Sequence, residues 1–156
     1  MKINFLTLIL GLLFLNSCSS ETNVSPAIHM ESCTINGTLT TSGDPSVKVG
    51  DVVEVSLQLT GNGSELVSFE ANANDKDIKM ALSEYDKNNV SNEKNFTDTT
   101  ECHLRFIDGV KTSNVKVKAT VQSTDDNVMT MKFYLSAKTN CEGSELDLNL
   151  KKNNLN

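Results

Sequence analysis

The one adjacent pair that could build a nucleophile is Cys102-His103, because a thiol beside an imidazole is the starting point of cysteine-based acyl transfer. The pair lies in a stretch where Cys102, Leu104 and Phe106 alternate with His103 and Arg105. Such alternation marks a strand, and strand neighbours point to opposite faces, so the two side chains cannot share a proton. A buried cysteine beside an outward histidine is expected instead. The other histidine, His29, has no chemical companion in its neighbourhood. The chain also carries no Gly-x-Ser-x-Gly elbow, His-Glu-x-x-His helix or phosphate-cradling glycine loop. The expectation is a chain that is not an enzyme and holds no cofactor.

Asn72, Asn74, Asp75 and Asp77 bring together the oxygen ligands that calcium takes. The EF-hand spacing is absent, however, and a solvated turn uses the same residue types. Two histidines and scattered cysteines do not make a zinc site. No metal is expected.

The positioning elements begin with the first residues. Lys2 supplies a positive start, and Phe5 to Leu15 form an apolar run interrupted by Thr7 and Gly11. A bilayer span needs roughly 20 apolar residues, so this run is too short to cross. It is apolar all round rather than striped, unlike a helix docked on a core. Its length, basic start and small polar sequel match a signal peptide. The following Leu15-Asn16-Ser17-Cys18 resembles the lipobox of bacterial lipoproteins: an aliphatic residue, a variable one, a small one, then cysteine.

That resemblance implies a diacylglyceryl group on the Cys18 thiol, cleavage just before it and acylation of the new amine. Its implied partner is the membrane, held through covalent lipid. One acyl chain binds only marginally, but several, at about 0.8 kcal/mol per buried methylene, hold firmly. By similarity to enteric lipoproteins, Ser19 in place of Asp implies the cell envelope and, within it, the outer membrane of a Gram-negative bacterium.

Removing residues 1–17 leaves 139 residues, enough for one domain of ordinary size. Loss of Lys2 takes the net charge from −6 to −7. A chain this acidic is not built to neutralise nucleic-acid phosphates, nor to be drawn to an anionic lipid surface. Residues 18–27 read as the lipidated cysteine and a flexible, small-residue tether. Residues 28–152 read as a β domain, and 153–156 as a polar tail.

Within the domain, Val53, Val55, Leu57 and Leu59 alternate with polar residues, as do Val67, Phe69, Ala71 and Ala73. Gly61-Asn62-Gly63 between them predicts a hairpin. The same pattern holds for Val115, Val117, Ala119 and Val121, and for Met129, Met131, Phe133 and Leu135. Leu146, Leu148 and Leu150 predict a last strand, and Ile28 to Leu39 a first one. Residues 76–87 fit a strand or a short helix, and context favours a strand. Asp86 to Thr100 is a long polar loop, a kind that is commonly functional or disordered.

Seven or eight such strands predict an all-β, immunoglobulin-like antiparallel β-sandwich, with a lipocalin-like barrel as the alternative. Gly50-Asp51-Val52-Val53 and the Gly-Asn-Gly turn resemble the early strands of bacterial immunoglobulin-like lipoprotein domains. There is no tryptophan, and so no Cys…Trp…Cys arrangement of antibody type.

With Cys18 taken by lipid, Cys33, Cys102 and Cys141 remain in an oxidising compartment. If the strands from Cys102 onward run up, down and up, Cys102 and Cys141 lie roughly 15–20 Å apart, beyond disulfide reach. A Cys33–Cys141 disulfide is therefore expected, with Cys102 buried and reduced.

A hairpin of residues 115–121 and 129–135 with a Thr124–Val128 loop sets Lys118 opposite Tyr134. Lys118, Lys132 and Tyr134 would then form a basic patch with one ring, suited to a glycan or protein partner. The same residues also serve a soluble sheet face whose lysines discourage edge aggregation. Asp98-Thr99-Thr100 resembles a three-residue O-glycosylation acceptor of some Gram-negative envelope proteins.

The function expected from all this is a non-enzymatic binding or structural module presented on the envelope by its lipid. Capture of glycan or lipophilic cargo is the alternative, the lipophilic version requiring a barrel interior. Sparse aromatics weigh against sugar stacking. An enzyme is least supported.

Overall fold

Alternation governs the long strands because each lays one row of apolar side chains on a shared core. The computed structural model describes residues 24–153, apart from 42, 75 and 94–96. Ten strands occur in chain order: β1 (Ala27–Ile35), β2 (Thr38–Leu39), β3 (Ser46–Val47), β4 (Val52–Thr60), β5 (Leu66–Asn72), β6 (Ile78–Tyr85), β7 (His103–Arg105), β8 (Thr112–Val121), β9 (Val128–Ala137) and β10 (Ser144–Lys152). Three of them are only two or three residues long, which accounts for the excess over the seven or eight expected.

The strands form two five-stranded sheets, ordered β2-β1-β4-β8-β6 and β3-β10-β9-β5-β7. Pairing is antiparallel except for β3, which runs parallel to β10. The architecture is a β-sandwich, and the sheets do not close into a barrel. Between them lie Val53, Val55, Leu57 and Leu59 of β4, Val117 and Ala119 of β8, and Met131 and Phe133 of β9, all buried. Phe69 and Phe133 stack with ring centroids 6.5 Å apart. The interior that lipophilic cargo would need is filled with side chains.

Two expected hairpins are not hairpins. Gly61-Asn62-Gly63 joins β4 of the first sheet to β5 of the second. Asn62 and Gly63 have positive φ, and a Cβ on Gly61 would collide with the Ser64 carbonyl. Likewise β8 belongs to the first sheet and β9 to the second, so residues 122–127 cross the sandwich instead of folding β9 back on β8. Alternation reports which face of a strand is buried, and both arrangements bury the same rows.

Residues 78–85 form a strand, as context favoured. Bulges break the simple alternation at three places: between Met30 and Ser32, Leu66 and Ser68, and Leu82 and Glu84. The second explains why Leu66, not Val67, is fully buried. The long polar segment after β6 is threaded onto the fold by its backbone. Asp86 caps a 3-10 turn at Lys87–Asn89, Val90 bridges Phe106, and Asp98 bridges His103. Among the described residues no helix is long and apolar enough to cross a membrane.

Candidate functional site

Cys18 lies outside the described residues, as do residues 19–23 of the expected tether. The chain enters the fold at one pole of the sandwich. There Asn62 Nδ2 donates to the Ser25 carbonyl at 2.8 Å, and Thr139 Oγ1 to the Val24 carbonyl at 3.4 Å.

This geometry corrects the expected disulfide. Cys33, Cys102 and Cys141 are all free thiols. Cys141 is two residues from Thr139, which touches Val24, whereas Cys33 is nine residues farther along the extended chain of β1. At about 3.3 Å per residue that is on the order of 30 Å, against the roughly 7 Å a disulfide allows. Excluding Cys102 by distance left Cys33 as the partner without testing the distance of Cys33 itself.

Cys102 is buried, and its backbone takes the positive φ of 52° that begins β7. Burial, and then the Glu101 and Asp98 carboxylates, push its thiol up to about 11. Burial also raises the Cys33 thiol, opposed by a hydrogen bond with Thr40. Both thiols are held in the protonated, unreactive form. His103 stands half-buried on the other face of its strand.

The basic patch is not assembled. Because β8 and β9 belong to different sheets, Lys118 lies on one outer surface and Lys132 with Tyr134 on the opposite one. Lys118 is in register with Glu54 and Ala81. Lys132 is held by Glu145 at 3.0 Å and Asp147 at 3.3 Å, which raise its pKa above the ordinary lysine value. Tyr134 sits in register between Glu70 and Glu145, beside a shallow hollow of about 320 Å³.

The oxygen cluster of Asn72 to Asp77 is a turn. Asn74 Oδ1 accepts the Lys76 N–H at 3.2 Å, and the Asn74 carbonyl accepts those of Asp77 and Ile78. Asp75 lies outside the described residues. Asp77 is 2% exposed, and its Oδ1 has no hydrogen-bond partner. Among the described residues no three His, Cys, Asp or Glu side chains gather as a metal site. In Asp98-Thr99-Thr100, Asp98 Oδ1 accepts the Thr100 hydroxyl at 2.7 Å and backbone N–H groups of Thr100 and Glu101. These bonds hold its carboxyl below the ordinary value.

One concavity was not singled out by sequence. It is an open groove of about 770 Å³ on the outer face of the first sheet. Across it, Ser56 faces Lys116, Gln58 faces Asn114 and Thr60 faces Thr112 in consecutive outward register pairs of β4 and β8. The β1 bulge brings Glu31 to one side, and the β6 bulge brings Glu84, Tyr85 and Asp86 to the other. Lys116 Nζ meets Glu84 Oε1 at 2.6 Å, which raises the lysine pKa. The period-two pattern marked Ser56, Gln58 and Lys116 as outward, but the extension of β8 back to Thr112 and the bulges that bend the sheet left no such mark.

No curated protein matches the chain. Among solved structures, the chain is similar to part of a family 123 glycoside hydrolase from Clostridium perfringens, a structure described for glycolipid glycan hydrolysis. Identity is 10% and the TM-score 0.50, over 85% of this chain and 28% of the hydrolase, so the chain spans little more than a quarter of that protein. It is also similar to the human F-spondin reeler domain, at 12% identity and a TM-score of 0.49, over 83% of this chain and 93% of that one. The likeness to the hydrolase is one of fold. By sequence, a family model described as a domain of unknown function matches residues 19–152, and the chain thus belongs to the DUF5035 family.

Proposed function

We propose that this protein is a lipid-anchored, non-enzymatic binding module of the bacterial envelope, whose ligand seats in the groove on the outer face of the first sheet. The groove itself is the observation that carries the reading. Its volume lies within the roughly 300–1,000 Å³ of small-ligand sites, and it is lined by polar side chains rather than by a nucleophile with its base. The lipobox at Cys18 supports the anchor, since only five residues lie between it and Val24 at the entry pole. Ser19 favours the outer membrane.

The test is intact mass and outside labelling of the protein extracted from its native membrane, beside a Cys18→Ala variant. The expected result is a chain lacking residues 1–17, heavier by lipid, with both changes lost in the variant. An uncleaved, unmodified chain would overturn the anchor. Labelling from outside the cell would favour exposed capture, and its absence would point to periplasmic ligands.

A further inference from the structure

We infer that the groove of the first sheet takes a neutral glycan, gripped by the carboxamides of Gln58 and Asn114. This rests on the binding-module reading and adds the chemistry of the ligand. The two amides are register partners on adjacent strands, outward and exposed. Neither side chain makes a hydrogen bond among the described residues, so two donors and two lone pairs on each remain for a ligand.

Of the charged groups nearby, two acids and the lysine are already engaged. Glu84 and Lys116 hold each other at 2.6 Å, and Asp86 Oδ1 accepts the Asn88 N–H at 2.9 Å. Glu31, at the β1 bulge, adds a carboxylate with no such internal bond among the described residues.

The balance of charge narrows the ligand. Three carboxylates, Glu31, Glu84 and Asp86, face one lysine, so phosphates, sulfates and uronic acids are repelled. The three outward register pairs are polar throughout, so a lipophilic ligand finds no continuous apolar wall there. A lysine-rich peptide would answer Glu31 and Asp86 but would displace water from the amide pair without replacing its bonds. Vicinal hydroxyls answer amides and carboxylates together, donating to one and accepting from the other. Only Tyr85 supplies a ring, and it is partly packed on the core. Recognition here therefore depends on hydrogen bonds more than on stacking.

Position adds a second element. Thr60, at one end of the groove, leads into Gly61, whose N–H bonds Lys111, and then Asn62, which bonds Ser25. The groove thus opens at the pole where the chain enters. Six residues reach at most about 20 Å, so a chain anchored at Cys18 holds this groove close to the bilayer. The glycan it meets is one displayed near the membrane surface.

The full chain, extracted in a detergent without a sugar headgroup, is applied to immobilised neutral, acidic and amino-sugar glycans. The best neutral oligosaccharide is then titrated calorimetrically. Selective binding of neutral glycans is expected, weakened tenfold or more by Gln58→Ala or Asn114→Ala and unchanged by Thr130→Ala on the opposite sheet. Neutral-glycan binding that survives both amide variants, or preference for acidic glycans, would overturn the inference. A lysine-rich peptide that binds, and is lost with Glu31→Gln, would overturn it while leaving the binding module standing. A wild-type chain that is folded by circular dichroism and binds no class of probe would sink both. Glycan binding by a chain that proves unlipidated would uphold the groove and defeat only the anchor.

Discussion

Asn36 Nδ2 donates to Asp51 Oδ1 at 2.9 Å, tying the turn after β1 to the residue that opens β4. The bond is reciprocated through the backbone. Val52 N–H donates to Asn36 Oδ1, Asn36 N–H to the Val52 carbonyl, and Lys48 N–H to Asp51 Oδ2. One carboxylate thereby organises both the turn before the β1–β4 pairing and the bend after β3.

Asp51 is 7% exposed, so its loss strands donors in a largely dry corner. Asp51→Ala is expected to cost about 1–3 kcal/mol, read as a lower midpoint in urea with an unchanged slope. A variant as stable as the parent would show that water replaces the carboxylate there.

Asp77 presents the opposite case, a buried carboxylate whose Oδ1 finds no partner. Asp77→Asn keeps the shape and replaces one carboxyl oxygen by an amide nitrogen. It is expected to raise stability by about 1–3 kcal/mol, measured by thermal and urea unfolding. A clear loss of stability would show that the carboxylate is matched by a partner in solution.

The thiols should separate by accessibility. Cys33 and Cys102 are buried and their pKa values raised, whereas Cys141 is half-buried in the loop before β10. A thiol reagent at neutral pH should modify Cys141 first and reach the other two only on unfolding. Peptide mapping without reductant should find no Cys33–Cys141 link. A cross-linked peptide pair would contradict the strand geometry.

Acid should weaken the fold through three exposed carboxyls held below their ordinary values. The Thr100 hydroxyl lowers Asp98, and the Lys138 ammonium lowers both Glu65 and Asp108. A lowered folded-state pKa means that the folded chain binds fewer protons than the unfolded one. That stability is present above the unfolded values of 3.8 for Asp and 4.5 for Glu, and is lost as pH falls through the folded ones. Thr100→Val should bring Asp98 back toward 3.8 in an NMR titration and soften the acid limb of the stability curve. Added salt should shrink the Lys138 contribution, since those partners are exposed.

Much of the core was legible because side-chain direction in a strand is a local property. Val53 to Leu59, Val115 to Val121, Met129 to Leu135 and the Cys102–Phe106 row are buried as their alternation indicates. Partner choice is not local. Val117 and Phe133 would be equally buried whether β8 and β9 paired or lay in opposite sheets, and they lie in opposite sheets. The Lys118–Tyr134 patch failed for that reason alone. Asn36-Gly37, with φ of 50° and 79°, is a two-residue hairpin between β1 and β2 whose dipeptide is a strong turn signal, yet it was read as the interior of one strand. The groove was half legible: Gln58 falls on the polar row of its strand, but Asn114 lies before the strand expected at 115–121, and the bulges at Glu31 and Ser83 depend on partners that one strand does not announce.

The crossings between sheets also govern when this chain can fold. β8 lies between β4 and β6 in the first sheet, and β9 between β10 and β5 in the second. A chain that has emerged only as far as Lys111 can pair β2, β1 and β4, but it lacks the β8 that joins β6 to them and both the β9 and β10 of the second sheet. Such topology slows folding, because distant segments must meet before either sheet is complete. For a protein whose first residues resemble an export signal, that delay would leave both sheets incomplete until nearly all of the chain has arrived.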